Sequence, residues 1–260
     1  MSVLSFVSAK GSPGVSTTLG TLAWLWGDDV VLAELDPAGG DLALRHRGLA
    51  GRPLDEDRGL LSYGAAIRGG SEVALSDHLQ RTEDGIDVLV GVSTPGQARG
   101  LATAWNHIGR GLRSQSADVL VDGGRYVPGS AIGPVLEQSS VLVVVARTDL
   151  PGVAHLRSRL TAVQETARAG GLEGVRVAYL LVGDAGDARA AADIEKLLGS
   201  AGLRAAPLGV VHHEPKVVAT LDSAPGRRLR RSTYVRSVGE VKSRLRELAG
   251  APSTSTAGRI

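Results

Sequence analysis

Short apolar runs alternate with segments of helical periodicity along most of the chain, and this alternation constrains the fold more than any other feature. The runs are rich in valine, leucine and alanine, which is typical of parallel strands buried on both faces. The pattern predicts an α/β fold: a doubly wound, mostly parallel sheet with helices on both faces. The apolar runs cover 2–8, 30–35, 86–90, 119–121, 141–146, 175–182 and 207–211, and helical patterns include 16–26, 97–112 and 235–248.

The composition excludes several kinds of site. The chain has 260 residues, 43% of them hydrophobic, and no cysteine, so disulfides and thiolate metal sites are excluded. Its 29 basic and 27 acidic residues nearly balance, and charge alone does not indicate a nucleic-acid partner. No targeting segment is visible and no apolar run reaches about 18 residues, so we expect a cytoplasmic protein. We expect one domain over 1–250 and a disordered tail over 251–260.

Breaks rich in glycine or aspartate follow three of the predicted strands. They lie at 9–14, 36–40 and 122–124. Ligands of doubly wound sheets bind beyond the carboxyl ends of the strands. The breaks therefore predict a binding site at one edge of the sheet.

The first break resembles a phosphate-binding loop between a strand and a helix. Its glycines allow backbone amides to converge on an anion, and the N-terminus of the helix adds positive dipole. The hydroxyl of Ser16 is placed to bind Mg²⁺, and that of Thr17 to reach a phosphate oxygen. Measured against the general pattern, however, Ala9 replaces the first glycine and Val15 replaces the lysine. The pattern by itself also fits a glycine-rich turn that only connects the strand to the helix.

The same segment resembles the deviant phosphate loop of the ParA/MinD family of ATPases, which has an extra lysine near the start of the loop. Lys10 fills that position, and Gly11, Gly14, Ser16 and Thr17 follow in register. In that family the early lysine reaches the nucleotide phosphates of the partner subunit across a dimer. The resemblance therefore implies a homodimer in which Lys10 acts in the neighbouring site.

The resemblance extends over nearly the whole chain up to the tail. The segment 34–37 is similar to the family's acidic motif after the second strand, and 118–124 to its second acidic motif with the switch glycine. The segments 208–211 and 215–217 resemble the late strand and the loop beside the adenine.

The resemblance implies a site for ATP and Mg²⁺. Asp36 would orient the attacking water, which makes Asp36 and Lys10 the implied catalytic residues, and Ser16 and Asp122 would hold Mg²⁺. The residues implied to bind the nucleotide are Lys10, Gly11, Ser12, Pro13, Gly14, Val15, Ser16, Thr17 and Gly123.

Two of these assignments have alternatives. An amide of either Gly123 or Gly124 would meet the γ-phosphate. The residues 36–37 and 122–123, each taken alone, also fit the start of a turn and a turn that ends a strand.

Val15 changes what the loop is expected to do. The missing ammonium would contribute about 1.5–3 kcal/mol through a charge-assisted bond, and hydrolysis should suffer more because charge develops at the same oxygens. We therefore expect weak ATP binding and slow or absent hydrolysis. Loss of this lysine is similar to the CpaE/TadZ branch, whose members help to position pilus-assembly machinery. The family's asparagine after the sixth strand is also missing from 181–184, which leaves the base preference open.

A basic cluster precedes the last predicted helix. It consists of Arg227, Arg228, Arg230 and Arg231. A solvated edge explains such a cluster, and so does contact with DNA or an anionic membrane.

The sequence leads to a first hypothesis and to alternatives. The first is a nucleotide-dependent dimerising switch that positions or partitions a cellular cargo through a protein partner of unknown identity. The alternatives are a nucleotide-independent scaffold of the same fold, for example in pilus or secretion machinery, and a DNA-associated partition ATPase. A metabolic enzyme of the wider superfamily ranks lowest, because no substrate constellation is visible.

Overall fold

The computed structural model describes residues 1–11, 13–27, 29–70, 73–184, 186–221 and 229–250. The tail predicted over 251–260 lies outside the described residues. Among the helices of the described residues, none combines the length and the apolar character that crossing a membrane requires.

One sheet runs through the molecule, in the strand order β3-β4-β2-β5-β1-β6-β7-β8. All pairings in it are parallel except that between β3 and β4. The predicted doubly wound α/β fold is thus confirmed. The strands are β1 (Val3–Ser8), β2 (Val30–Glu34), β3 (Gln80–Arg81), β4 (Asp87–Leu89), β5 (Asp118–Arg125), β6 (Val141–Arg147), β7 (Arg176–Gly183) and β8 (Ala206–His212).

Helices cover both faces of the sheet. One apolar cluster joins the sheet to α1 and α10, and the other joins the opposite face to α3, α5, α7 and α8. The helices are α1 (Val15–Trp26), α2 (Leu42–Arg45), α3 (Leu60–Arg68), α4 (Pro95–Gly100), α5 (Trp105–Arg113), α6 (Gly133–Leu136), α7 (Leu150–Arg168), α8 (Ala188–Ser200), α9 (Pro215–Leu221) and α10 (Thr233–Gly250).

The helical pattern predicted over 97–112 is wrong as a single helix. The segment divides into α4 and α5, with turns over 101–104 between them. Gly100, which has a low helix propensity, ends α4. The break places both Leu101 and Ala104 in the core.

The strand predicted to stop at Asp122 continues to Arg125. It keeps pairing with β1, although the register shifts between Phe6 and Ser8. Such an irregularity bends a strand locally and re-aims its side chains. The aspartate therefore lies within β5, in its carboxyl half.

The last helix, α10, packs on α1, the helix that follows the loop after β1, and its side chains hydrogen-bond to α1. The Tyr234 hydroxyl donates to the carbonyl of Thr17 at 3.1 Å and lies 3.0 Å from the Thr21 hydroxyl. The ammonium of Lys242 donates to the carbonyl of Leu25 at the end of α1. Cations at a helix C-terminus are favourable because the unpaired carbonyls there carry negative charge.

Replacing Tyr234 by phenylalanine should lower the free energy of unfolding by about 1 kcal/mol, because the buried Thr21 hydroxyl loses a hydrogen-bond partner. Urea unfolding followed by circular dichroism measures the change. The matched control is Tyr126→Phe, whose hydroxyl makes a longer bond of 3.3 Å to Thr166 and should matter less. Equal stability of Tyr234→Phe and wild type would contradict the role of this contact.

Candidate functional site

The loop between β1 and α1 is held at its start and shaped at its end. The amide of Ala9 donates to Val145 of β6 at 2.9 Å, and Arg159 Nε donates to the Ala9 carbonyl at 2.9 Å. Gly14 has φ 94°, in the left-handed region that favours glycine, directly before the first residue of α1. The loop is thereby turned so that it leads into the N-terminus of a 12-residue helix.

A serine–aspartate pair lies at the centre of the site. The Ser16 hydroxyl donates to Asp122 Oδ2 at 2.5 Å, and the Gly124 amide donates to Asp122 Oδ1 at 3.0 Å. Asp122 is buried, and burial raises the pKa of its carboxyl above the usual value, while the two hydrogen bonds oppose that rise. The first helix and the fifth strand thus bring together two oxygen ligands of the kind that Mg²⁺ prefers.

Asp36 lies against the end of β5. Its Oδ1 accepts the amide of Ala38 at 2.8 Å, and burial raises its pKa. A Cβ on Gly124 would lie 2.1 Å from the Asp36 carboxyl carbon, and Gly124 has φ 62°, so only glycine fits there. Gly124 lines the same cleft as Asp36. Gly123 packs instead beside Val7 and Ile132, where a Cβ would lie 2.9–3.0 Å from their side chains.

Glu34 is a second buried carboxylate of the site. Its Oε1 accepts the amides of Asp41 and Leu42, both at 2.9 Å, and its Oε2 accepts the amide of Gly91 at 3.2 Å. Burial raises the pKa of Glu34 to about 7, the charge of Asp122 adds to the rise, and the three amides oppose it. The sequence places Glu34 at the end of a buried strand and in the acidic segment 34–37, but it does not indicate that three amides enclose the carboxylate.

Arg45 reaches the loop from α2. Its Nη2 donates to the Thr17 hydroxyl at 3.1 Å, and its side chain is half-buried. Sequence reasoning missed this residue, because no local pattern around it predicts a contact with the first turn of α1, 28 positions earlier.

Two residues, Lys10 and Val15, distinguish this loop from the general phosphate-loop pattern, and they lie in different environments. Val15 is 6% exposed and packs in the core cluster between the sheet and α1. Lys10 is exposed. The lysine therefore lies at the rim of the loop, whereas the valine is part of the core.

Two clefts meet at the loop. The first is lined by Gly14, Ser16, Asp36, Asp122 and Gly124, so it gathers both predicted metal ligands, one predicted catalytic residue and part of the predicted phosphate loop. Lys10 and Gly123 are not among its lining residues. The second shares Gly14 and Thr17 and continues between the ends of β7 and β8. Its lining is mostly apolar and includes Pro13, Val182, Val211, His213, Pro215 and Val218.

The position of the missing asparagine, at the end of β7, is occupied by a different network. Asp187 Oδ2 accepts the Thr148 hydroxyl at 2.6 Å and the Asp184 amide at 2.9 Å. A Cβ on Gly183 would lie 2.2 Å from the Thr148 hydroxyl oxygen. An asparagine at Gly183 would not fit without a shift of these groups.

Some of the predicted site residues cannot be placed. Ser12, Arg227 and Arg228 lie outside the described residues, as does the side chain of Arg230, whereas Arg231 is exposed. Within the described ranges, no group of three or more His, Cys, Asp or Glu side chains is arranged to hold a metal ion. A cation at Ser16 and Asp122 would therefore take its other ligands from water and phosphate.

The strand–loop–helix unit, with acidic side chains in the carboxyl half of β5 and at or just beyond the end of β2, defines a phosphate-loop α/β fold. Among solved structures, the chain is similar to the ParA family ATPase of Chlorobium tepidum TLS, with 17% identity and a TM-score of 0.74 over 94% of this chain and 98% of that one. It is also similar to the septum site-determining protein MinD of Pyrococcus horikoshii OT3 in complex with Mg-ADP, with 15% identity and a TM-score of 0.69 over 96% and 97% of the two chains.

A third similar structure is a complex of McdA from Cyanothece with ATP, at 16% identity and a TM-score of 0.70, covering 97% of each chain. No protein-family model and no curated protein sequence matches the chain. At these identities the comparisons establish a shared fold. They confirm, at that level, the predicted resemblance to the ParA and MinD ATPases.

The raised pKa of Glu34 has a consequence for stability. A carboxyl whose pKa is higher in the folded than in the unfolded state stabilises the fold below about pH 4.5, and this contribution is lost as the pH rises to about 7. The loss amounts to about 3 kcal/mol at most. The neutral variant Glu34→Gln should therefore lose stability less steeply than wild type between pH 5 and pH 8.

Urea unfolding without nucleotide or Mg²⁺, repeated across this pH range, measures the difference. Glu240→Gln, which removes an exposed carboxylate of α10, is the control and should keep the wild-type slope. Parallel pH profiles for wild type and Glu34→Gln would contradict the assignment.

Proposed function

We propose that the protein is a nucleotide-dependent dimerising switch that positions or partitions a cellular cargo, with weak ATP binding and slow or absent hydrolysis. The observation that carries the proposal is the hydrogen bond between Ser16 and Asp122 in the first cleft, beside the loop residues that this cleft shares with the second. A serine at the start of a helix and a carboxylate in the carboxyl half of a neighbouring strand are what a Mg·nucleotide site requires.

The donor set fits such a ligand. The phosphates would lie at the N-terminus of α1, where backbone amides and the helix dipole favour negative charge. Mg²⁺, when bound, offsets phosphate charge. Ser16 and Asp122 would hold it, and the apolar cleft between β7 and β8 would take the base.

Hydrolysis is expected to be slow for a reason visible in the core. Asp36 lines the cleft together with Ser16 and Asp122, so it is the carboxylate available to orient a water molecule. No lysine stands at position 15, and the valine there packs into the core instead. The loop therefore offers amides and hydroxyls but lacks the cation that would offset charge developing at the phosphate oxygens.

One observation favours a second candidate, a scaffold that needs no nucleotide. Val15 occupies the position of the loop lysine and packs in the core cluster, so the loop offers no ammonium to a phosphate. A nucleotide titration distinguishes the two candidates.

The partners of the switch follow from its fold relatives and its charges. The solved relatives include a complex of MinC with MinD from Aquifex aeolicus, which supports a protein partner for this chain as well. A cytoplasmic location, with contact to the nucleoid or to an anionic membrane through Arg227, Arg228, Arg230 and Arg231, belongs to the same proposal. The basic residues of α10 support it less, because Lys242 and Arg246 donate to carbonyls at the end of α1.

Mg·ATP should bind weakly, and Val15→Lys should tighten binding by about one to two decades, because the variant adds a cation beside the converging amides. Calorimetric titration measures both constants. Leu197→Lys, which adds a lysine at an exposed position of α8, is the control and should change nothing. Absence of wild-type binding at millimolar nucleotide would favour the scaffold. An unchanged constant in Val15→Lys would mean that the loop does not bind phosphate.

Lys10→Ala should leave the fold intact, because an exposed lysine supports no core, and should weaken nucleotide-promoted dimerisation by about one decade or more. Nucleotide binding and dimerisation are then linked, each strengthening the other by the same factor. Sedimentation with and without Mg·ATP measures the dimer fraction. Lys196→Ala on α8 is the control, since Lys196 is also exposed. Equal dimer fractions for wild type and Lys10→Ala in both conditions would remove Lys10 from the mechanism.

A further inference from the structure

We propose that Arg45 supplies the phosphate loop with the cation that Val15 cannot provide. The proposal rests on the proposed function, because it concerns how the same site holds nucleotide phosphates. It assigns a binding role to a residue that lies outside the loop in sequence and reaches it only in the folded chain.

The contact with the loop is direct. Arg45 Nη2 donates to the hydroxyl of Thr17, which lies two residues after Val15, at 3.1 Å. Arg45 also lines the cleft formed with Gly14, Ser16 and Asp122. A guanidinium has five N–H donors directed over a wide fork, so the same side chain is able to bond to a hydroxyl and to a phosphate oxygen.

The backbone that carries Arg45 is fixed by buried contacts. Glu34 accepts the amides of Asp41 and Leu42 at the start of α2, and Leu42 is 6% exposed. The Arg45 amide donates to the Asp41 carbonyl at 3.0 Å. Arg45 is therefore held beside the loop by the buried carboxylate, and its side chain does not have to be recruited from solvent.

The charge of the cleft favours a cation beside the loop. The described residues that line it include four carboxylates, those of Glu34, Asp36, Asp41 and Asp122. Among the described lining residues the cationic side chains are Arg45 and Arg125, and Arg125 is exposed. A polyphosphate entering this cleft meets strong repulsion unless cations offset it, and Arg45 is the one already bonded to the loop.

A guanidinium suits this task. Its planar fork binds phosphate through two parallel hydrogen bonds, which a lysine at position 15 would replace by a point charge. A phosphate bound in this way would join α2 to the loop. The acidic segment that contains Asp36 precedes α2 directly, so nucleotide would order both sides of the cleft together.

Calorimetric titration with Mg·ATP tests the assignment. Arg45→Gln should weaken binding by about tenfold or more, and Arg45→Lys should weaken it less, because it keeps the charge but loses the fork. Arg47→Gln is the matched control, since Arg47 is an exposed arginine two positions along, and it should bind as wild type does. Thermal unfolding of each variant without nucleotide establishes that it is folded.

A double-mutant cycle sharpens the test. If Arg45 replaces the loop lysine, Val15→Lys should improve binding by a larger factor in the Arg45→Gln background than in wild type. Equal factors in the two backgrounds would mean that the two cations act independently, and this would overturn the replacement.

The outcomes separate this inference from the function on which it rests. If the wild type binds Mg·ATP and Arg45→Gln binds equally well or better, the role of Arg45 is wrong and the proposed function stands. If the wild type binds no Mg·ATP at millimolar concentration, the proposed function fails and the role of Arg45 fails with it.

Discussion

The buried carboxylate of Asp122 is the group on which the rest of the site depends. An ionised carboxylate is costly to bury unless it is hydrogen-bonded, and here the Ser16 hydroxyl and the Gly124 amide both donate to it. These bonds join the first helix to the fifth strand, which are 106 residues apart in sequence at the Ser16–Asp122 contact. The loop between β1 and α1 is thereby fixed at its helical end.

Glu34 is a second buried carboxylate that hydrogen bonds stabilise, on the other side of the cleft. Three backbone amides surround its carboxylate, and they belong to the start of α2 and to the segment after β4. Because Glu34 and Asp122 are paired on adjacent strands, the charge of Asp122 raises the cost of ionising Glu34. A cation in the cleft would reduce the cost of ionising Glu34. Cation binding is therefore linked to the stability of the fold around β2 and β5.

Much of the fold could be predicted from the pattern of apolar residues. The parallel strands, the first helix and the loop between β1 and α1 follow from buried runs, helical spacing and glycine, all of which act over a few residues. The short antiparallel β3 and the division between α4 and α5 could not be predicted, because pairing with β4 and burial of Leu101 and Ala104 decide them. The continuation of β5 past Asp122 likewise depends on its pairing with β1, which aspartate and glycine in sequence do not indicate.

The sequence by itself determined the alternation of buried parallel strands with helices, the hydroxyls of the loop and the absence of a lysine at position 15. Only the tertiary structure decided that Val15 joins the core, that Glu34 is enclosed by amides and that Arg45 bonds to Thr17. The physical reason is range. Propensity and periodicity act between neighbours in the chain, whereas these contacts exist only because the sheet places β2 beside β5 and β5 beside β1.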